Sequence, residues 1–498
     1  MTTGTAAPVS EVFRAGPPAP REASAQEIQT VFGAQRAWRW QAAQTTAPER
    51  QAILRRLHDA IRAQRARLAD ALARDLGKSR AEAEVSEIHA VLEETQFILR
   101  RLGRWMAPRR VGTPLMLPGT RSEVRFQARG VTLILSPWNY PVNLALAPLV
   151  ASLAAGNTVV LKPSEKAPHT ARALRELLES VFEPKLVAVL EGGPGVARAL
   201  TDLPFDHIFF TGSGAVGRRV MAAAAPNLTS VTLELGGKSP ALIHDSANLR
   251  DAAERIAWGK LLNAGQTCVA PDYVLLPERM CAAFLLEIDA VIARRYGDHA
   301  WLRAGPDYGR LVDGESVRRL RQLTADSVAQ GARVVRGGDF DPQARFISPT
   351  VVADVTPEMP LMQEELFGPV LPVLTYRDFG GALDLIRRQD SPLALYLFTG
   401  EPAVTGRVVR ETTSGGMVVN GTVIHLINPH LPFGGVGPSG MGKYHGEHGF
   451  RTFSHERAIL HEPSPSPVRF LYPPYGRPLP RLTAWALRQL ERQVGPRE

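Results

Sequence analysis

The chain has 498 residues, of which 44% are hydrophobic and 21% are charged, and its net charge is +9 at neutral pH. This length exceeds what one hydrophobic core usually supports, so we expect a soluble globular protein of two or three domains. The arginines are scattered without an aromatic-interleaved basic run, which disfavours nucleic acid as a partner. Because no secretory signal and no apolar run of roughly 20 residues is present, we expect a cytoplasmic protein without a membrane span.

The N-terminal part is predicted to be an arm followed by helices. Residues 1–22 are rich in Ala, Pro and Gly, a composition typical of a flexible arm. Ser24 and Glu27 have the spacing of a capping box and predict the first helix. Apolar residues at helical spacing predict a second helix that stops near Gly77, and a third over 81–101.

The next segment changes from helical to strand-like texture. Prolines, a Pro-Gly turn and alternating apolar residues over 111–130 predict an extended hairpin, a candidate subunit arm. Short apolar runs separated by helical patterns then predict a parallel, doubly wound sheet of α/β type, in which ligands bind at the carboxyl ends of the strands. The predicted strands are 131–135, 158–161, 186–190, 207–210 and 231–235.

The glycine-rich stretch 212–217 follows strand 207–210 and opens a helix. This order matches a dinucleotide-binding fingerprint, because N–H groups at a helix start attract phosphate. The fingerprint would assign Glu234, about 20 residues on, to the ribose hydroxyls. However, Lys162 and Glu165 can supply a cation and a carboxylate at the end of another strand, which leaves Glu234 free for another task.

Two polar residues at strand ends are candidates for chemistry. Glu234 ends an apolar strand before two glycines, where burial would raise its pKa and make it a base for a water or a thiol. The alternative for Glu234 is a salt bridge to Lys238 or an arginine. Asn139, beside Trp138, could donate to a developing oxyanion, and the alternative is a turn-capping amide.

The chain contains only two cysteines, which excludes a disulfide framework and a thiolate zinc cluster. Cys268 lies among small and turn-forming residues and is a candidate nucleophile, whereas the alternative is a buried apolar thiol. Cys281, in an apolar run, fits that alternative. The histidines of 445–448 lack further ligands nearby, so we expect no metal site.

Seven motifs occur in an order that resembles the aldehyde dehydrogenase superfamily, over residues from about 25 to about 475. The forms NAGQTCVAPDYV, GMGKYHG and LYPPYG look most like its class 3 branch, which includes fatty, aromatic and coniferyl-aldehyde-type enzymes. The seven motifs are SPWNYP, LKPSE, FFTGS, LELGGKSP, GQTC, EELFGPV and LPFGGVGPSG.

This resemblance implies NAD(P)-dependent oxidation of an aldehyde to the carboxylic acid, with Cys268 as nucleophile, Glu234 as general base and Asn139 as oxyanion donor. Lys162 and Glu165 would contact the adenosine ribose, the glycine loop the pyrophosphate, and the segment around 365–367 the nicotinamide nucleotide. The implied cofactor-binding residues are Trp138, Lys162, Glu165, Phe210, Gly212, Ser213, Val216, Gly217, Glu365 and Phe367. Members of the family usually carry a bulkier residue at Gly214, so that glycine is not expected to be a contact.

The resemblance also divides the chain. A dinucleotide-binding domain is expected from 23–110 and 131–235, a catalytic domain from 236–443, and an oligomerisation arm from 111–130 and 444–462. A tail over 463–498 carries a short amphipathic helix, for which packing on protein is favoured over membrane contact. We expect a homodimer or larger homo-oligomer.

Cofactor and reaction each leave an alternative. Glu165 would repel a 2′-phosphate and favours NAD, with NADP possible. The alternatives to aldehyde oxidation by hydrolysis are transfer of the acyl group to coenzyme A and a non-catalytic protein that keeps the fold. The presence of Glu234 disfavours the first of these, because hydrolysis needs that base.

Overall fold

The structure is a computed structural model that describes residues 21–114, 117–297, 302–303, 305, 307–469, 472–473, 484–485 and 488. Most of the predicted N-terminal arm and of the predicted C-terminal helix therefore lies outside the described residues. In the part that is described, no helix is both long and apolar enough to cross a membrane.

The helices have the following bounds in chain order: α1 (Ala25–Ala43), α2 (Ala47–Ala63), α3 (Arg65–Leu76), α4 (Arg80–Ala83), α5 (His89–Met106), α6 (Asn143–Ala155), α7 (Pro168–Glu179), α8 (Pro194–Thr201), α9 (Gly214–Ala224), α10 (Leu249–Leu261), α11 (Cys281–Tyr296), α12 (Gly314–Ala329), α13 (Phe379–Arg388), α14 (Pro402–Glu411) and α15 (Gly446–Thr452).

The strands have the following bounds: β1 (Arg109–Val111), β2 (Arg121–Ala128), β3 (Val131–Leu135), β4 (Thr158–Lys162), β5 (Val187–Val189), β6 (His207–Thr211), β7 (Ser230–Glu234), β8 (Pro240–Ile243), β9 (Tyr273–Pro277), β10 (Arg333–Arg336), β11 (Phe340–Asp341), β12 (Phe346–Ile347), β13 (Thr350–Ala353), β14 (Val370–Tyr376), β15 (Ala394–Phe398), β16 (Gly416–Val419), β17 (Gly440–Met441) and β18 (Ser454–His461).

The N-terminal helices differ from their predictions in two respects. The predicted second helix is two helices, α2 and α3, because the backbone leaves helical geometry at Gln64; the apolar stripe runs across this break, so periodicity alone hides it. Its predicted end is right, since Gly77 has a φ of +64° at the C-cap of α3. The predicted third helix is longer than 81–101 and contains a π-helical turn over Glu84–Ile88.

The first sheet has six strands in the order β17-β7-β6-β3-β4-β5. Strands β3 to β7 are parallel, which confirms the predicted doubly wound sheet. From β3 the chain builds one side through β4 and β5 and the other through β6 and β7, so the strand order reverses between β3 and β6. A crevice at the carboxyl ends of these two strands is where such sheets bind ligands.

A second sheet of seven strands has the order β10-β13-β14-β9-β8-β15-β16 and is parallel except for β10. Strand β17 is an exception to the expected division of the chain. It lies within 236–443, yet it pairs antiparallel with β7 of the first sheet and places Gly440 opposite Glu234. The last residues assigned to the second region therefore cover the end of β7.

The third sheet is small and antiparallel, in the order β1-β2-β18. It contains the predicted hairpin, since β1 pairs with β2, and β18 pairs with β2 along its whole length. Strand β18 lies within the expected arm segment 444–462 but begins only at Ser454, because residues up to Thr452 belong to helix α15. Strand β18 has no neighbour on its other side among the described residues.

Candidate active site

Glu234 ends β7 between the end of β6 and the short strand β17, opposite Thr211 on one side and Gly440 on the other. Only 2% of its surface is exposed, and neither carboxylate oxygen has a hydrogen-bond partner among the described residues. Burial raises the pKa of Glu234 well above its usual value. The protonated form of this side chain is therefore favoured relative to an exposed glutamate, and its ionised form is a stronger base.

The alternative interpretation of Glu234, a salt bridge to Lys238, does not hold. Lys238 instead donates to Asp272, with its Nζ 2.8 Å from Oδ2, and to the carbonyl of Glu364 at 3.0 Å. Lys238 is therefore engaged by other groups and does not neutralise the carboxylate of Glu234.

The cysteine loop follows α10 in an unusual backbone conformation. Asn263 and Ala264 have φ values of +53° and +52°, and Gly265 has +78°. A Cβ at Gly265 would overlap the carbonyl of Gly368, so only glycine fits there. These left-handed residues turn the chain sharply and place Cys268 at a partly exposed position.

The Cys268 thiol is protonated at rest. Burial, followed by the negative charges of Glu365 and Glu234, raises its pKa to about 12, although the N–H groups of Cys268 and Val269 act in the opposite direction. Both carboxyl groups are thus within electrostatic reach of the sulfur. A neighbouring base or an approaching positive charge is needed to form the thiolate.

Asn139 is buried and connects the end of β3 with the cysteine loop. The side-chain Nδ2 of Asn139 donates to the backbone carbonyl of Gln266 at 3.0 Å. The backbone carbonyl of Asn139 accepts from Nδ2 of Asn263 at 2.8 Å. Since the amide bonds across to the loop of Cys268, it does not act as a cap for its own turn. One amide N–H is used in this contact, which leaves the second as a potential donor.

A buried ion pair that no sequence pattern predicts lies behind Asn139. Lys78 Nζ lies 2.5 Å from a carboxylate oxygen of Glu87 and donates to the carbonyl of Asn139 at 3.0 Å. Glu87 also accepts from the N–H groups of Val142 and Asn143 at 2.9 and 3.0 Å. No motif marks these residues, which are nine positions apart. The pair fixes the backbone of Asn139 from a helical layer that carries none of the predicted site residues.

A second missed cluster lies beside Glu365. Asp272 accepts from Lys238 and lies 3.5 Å from Nζ of Lys260, and it also accepts from the N–H of Leu366 at 3.3 Å. Lys260 is 1% exposed, and desolvation, opposed by Asp272, lowers its pKa to about 8. The available signal was Asp272 itself, a charged residue four positions after Cys268 in an otherwise apolar and small-residue stretch.

Glu365 and Phe367 lie just before β14, where the chain approaches the end of β7. A Cβ at Gly236 would overlap the carboxylate of Glu365, so the two are in close contact. Burial and the charge of Asp272 raise the pKa of Glu365 to about 8, against the nearby lysines. Phe367 meets Trp138 edge to face, with ring centroids 5.4 Å apart. The structure thus brings these predicted residues to one wall of the site.

The start of α9 has the form of an anion-binding helix N-terminus. Ser213 is the N-cap, and its hydroxyl accepts from the N–H of Val216 at 3.5 Å. A Cβ at Gly212 would lie 2.6 Å from the ring of Phe210, so the backbone passes close to the strand end. Free N–H groups here can meet a phosphate.

The other glycines of this loop differ in what they require. A Cβ at Gly217 would lie 2.8 Å from the side chain of Leu235, so glycine allows α9 to pack closely on β7. At Gly214 the nearest atom would be 3.5 Å away, on Arg218, so a side chain has room. Gly214 is therefore not required as glycine, and the apparent fingerprint is partly coincidence.

Unsatisfied hydroxyls flank the crevice between β3 and β6. Ser136, just after β3, and Thr211, at the end of β6, are buried, and their hydroxyl oxygens have no partner among the described residues. At the end of neighbouring β4, Lys162 Nζ lies 2.7 Å from Glu165. A phosphate-seeking helix start, open hydroxyls and a cation–carboxylate pair along one sheet edge are features that fit a dinucleotide.

The 445–448 stretch is held by an ion pair and by ring packing, with the ring of His445 5.6 Å from that of Phe433. His445 Nδ1 lies 3.7 Å from Glu94, whose other oxygen accepts from the N–H of Gly446 at 2.7 Å. Over the described residues, no group of three His, Cys, Asp or Glu side chains is arranged to hold a metal ion.

Comparisons with known proteins agree with this geometry. A model of the aldehyde dehydrogenase family matches residues 18–459. The chain is 42% identical over 472 residues to aldehyde dehydrogenase family 3 member B2 of Mus musculus, covering 94% of this chain and 95% of that protein.

Solved structures are similar as well. AldH of Staphylococcus aureus in a substrate-bound state has a TM-score of 0.87 and 38% identity, covering 94% of this chain and 99% of that one. A Mycobacterium tuberculosis aldehyde dehydrogenase complexed with NAD+ has a TM-score of 0.80 and 28% identity, covering 88% and 90%.

Proposed function

Because the chain belongs to the aldehyde dehydrogenase family, in its class 3 branch, we propose that it oxidises an aldehyde to the acid through a thioester on Cys268, with NAD as the preferred cofactor. The observation that carries the proposal is the buried, unpartnered carboxyl of Glu234, which is within electrostatic reach of the Cys268 thiol. A carboxyl group whose pKa is raised by burial is a stronger base in its ionised form, which suits it to take a proton from a water beside an acyl group on Cys268.

In the first step, Cys268 would release its thiol proton to solvent, favoured by the positive charge that a bound nicotinamide would supply, and the thiolate sulfur attacks the aldehyde carbon. The developing oxyanion lies between the free amide N–H of Asn139 and the N–H of Cys268. The Lys78–Glu87 pair fixes the backbone of Asn139, so the side-chain donor needs no rearrangement during the reaction.

The cofactor would lie along the carboxyl edge of the first sheet. Lys162 and Glu165 hold the adenosine ribose, the start of α9 the pyrophosphate, and Glu365 and Phe367 the nicotinamide ribose and ring. When bound, the nicotinamide supplies the hydride acceptor that turns the adduct on Cys268 into a thioester. The open hydroxyls of the crevice support this placement.

In the last step, the ionised form of Glu234 takes a proton from the water that attacks the thioester, the C–S bond breaks with Cys268 leaving as the thiolate, and the acid is released. This step separates the proposal from acyl transfer to coenzyme A, for which the base would be dispensable. Turnover that depends on added coenzyme A would favour the acyl-transfer alternative.

We also propose an apolar substrate, such as a fatty or aromatic aldehyde. Tyr396 donates to the backbone carbonyl of Val269, next to Cys268. The ring centroid of His425 lies 6.4 Å from that of Tyr396 and 5.9 Å from that of Phe433, so the three rings form one wall. Burial lowers the pKa of His425 to about 4, so this wall is uncharged at neutral pH. Apolar aldehydes should therefore exceed a carboxylate-bearing aldehyde in kcat/KM by at least tenfold in a spectrophotometric panel.

Cys268→Ala tests the proposed function, with Cys281→Ala as the matched control. The first substitution should abolish aldehyde-dependent NADH formation while NAD binding by calorimetry is retained, and the second should leave turnover near that of the wild type. Retained turnover in Cys268→Ala would overturn the proposal. A wild-type protein inactive with every aldehyde of the panel would favour the non-catalytic alternative.

We further propose a homodimer built through the third sheet. The outer edge of β18 exposes most of its side chains and has no strand neighbour among the described residues, so its N–H and C=O groups can pair with a second copy. Light scattering should give a mass of twice the chain, and a monomeric mass would contradict the assignment.

A further inference from the structure

An ion pair joins the cofactor edge of the first sheet to the second α/β region. Lys166 Nζ lies 2.9 Å from Oδ2 of Asp313, and the two side chains are 48% and 33% exposed. Lys166 follows β4 in the same loop as Lys162 and Glu165. Asp313 is the N-cap of α12 and accepts from the N–H and hydroxyl of Ser316 at 2.8 and 2.7 Å. The pair therefore spans two separately built layers.

Four charges alternate at this place: Lys162, Glu165, Lys166 and Asp313. Burial raises the pKa of Glu165, but the hydrogen bond and charge of Lys162, with Lys166 nearby, hold it below its usual value. Burial is likewise outweighed at Asp313 by the hydrogen bond from Lys166, which lowers its pKa. Both carboxyl groups are ionised at neutral pH, so their two negative charges neutralise the two positive charges of the lysines.

The apposition of the two layers is fixed by backbone contacts near the pair. Asp75 accepts from the N–H groups of His169 and Thr170 at the start of α7, at 3.2 and 2.8 Å. Arg345 donates to the backbone carbonyls of Asp75 and Val312, at 2.8 and 3.0 Å. Asp75 thus binds the start of α7, and Arg345 binds both Asp75 and Val312, the residue before Asp313. These contacts keep Asp313 facing the loop of Lys166.

We propose that Asp313 sets the preference of this enzyme for NAD over NADP by neutralising Lys166. The inference rests on the proposed function, in which Lys162 and Glu165 hold the adenosine ribose. A 2′-phosphate carries a charge of about −1.5 to −2 and would meet the carboxylate of Glu165. Lys166, the remaining cation of that loop, could compensate the phosphate, but its charge is already balanced by Asp313. The discriminating residue therefore comes from the opposite layer.

Asp313→Asn tests the inference, because Asn caps a helix about as well as Asp and removes only the charge. Calorimetric dissociation constants of NAD and NADP are measured together with kcat/KM. The ratio of the two dissociation constants should shift about tenfold in favour of NADP, while NAD binding changes less than twofold. Raised salt should reduce the shift, because the groups are partly exposed.

Lys166→Met in the Asp313→Asn background supplies the second arm, and it should return NADP binding to the weak wild-type level. Two controls match the changes. Ser316→Ala removes a hydrogen bond to Asp313 without a change of charge, and Lys185→Met removes a lysine paired with Glu183 elsewhere on the surface. Neither control should move the ratio.

An unchanged ratio in folded Asp313→Asn, with NAD still bound, would overturn this inference and leave the proposed function standing. If the wild type binds neither nucleotide, the proposed cofactor site fails and the inference fails with it. A rise of NADP binding that persists in the double variant would also overturn it, because Lys166 would then not be the group released.

Discussion

Two buried carboxylates near the cysteine loop differ in the groups that they contact. Glu234 has no hydrogen-bond partner among the described residues, whereas Asp272 lies between the ammonium groups of Lys238 and Lys260 and accepts from the N–H of Leu366. Both side chains are almost fully buried. Burial alone therefore does not decide what an acid does here. The unpaired acid is suited to exchange protons, and the paired acid holds the segment that carries Glu365.

Glu365 is intermediate between these two cases. Its pKa is raised by burial and by Asp272, while Lys238 and Lys260 act in the opposite direction. Glu365 thus interacts with the cluster of Asp272, Lys238 and Lys260. Its charge also acts on the Cys268 thiol. The comparison therefore predicts three effects of different kind and decreasing size.

The largest effect is expected for Glu234→Gln, which keeps the shape of the side chain and removes the base. Loss of a positioned general base lowers rates by about 10²- to 10⁴-fold, and kcat should fall by this range because the thioester is no longer hydrolysed. Fold stability should change little, since no ion pair is broken. Steady-state kinetics and urea unfolding check the two parts, and a drop of less than tenfold in kcat would assign the base to another group.

A different outcome is expected for Asp272→Asn. Removing one partner of a buried ion pair leaves uncompensated charges, which costs about 3 kcal/mol, here at Lys238 and Lys260. The free energy of unfolding should fall by this amount. Asp251→Asn is the control, because its partner Arg255 is exposed and the pair lies at the surface. Equal losses in both variants would remove the distinction between the two carboxylates.

The smallest effect concerns pH. The pKa of Glu365 is about 8 in the folded protein and about 4.5 unfolded. Between these values the folded state holds a proton that the unfolded state has lost, so rising pH favours unfolding. The wild type should lose at least about 1 kcal/mol relative to Glu365→Gln from pH 5 to pH 8. Urea midpoints at both pH values measure this, and a parallel course of the two proteins would contradict the raised pKa.

The sequence was most informative where function and local pattern coincide. The five parallel strands, the position of Glu234 at a strand end and the tight turn before Cys268 all follow from short segments. Patterns of a few residues carry this information because each strand buries both faces and each turn needs particular residues.

Contacts between distant segments could not be predicted in the same way. Lys78, in the loop after α3, and Glu87, in the π-helical turn, support Asn139, and nothing in the local sequence shows that they are buried. The return of β17 to the first sheet and the pairing of Lys238 with Asp272 also depend on how the two sheets face each other. Sequence periodicity gives elements, while the partners of buried charges are decided by tertiary packing.

The most direct test of the account is covalent trapping of the acyl group in Glu234→Gln. The variant is mixed with an aldehyde and NAD, quenched in acid, digested and analysed by mass spectrometry. We expect the acyl mass on the peptide that contains Cys268, together with a single burst of NADH equal to the enzyme concentration. An acyl group on the peptide with Cys281, or a burst without any acylated peptide, would contradict it.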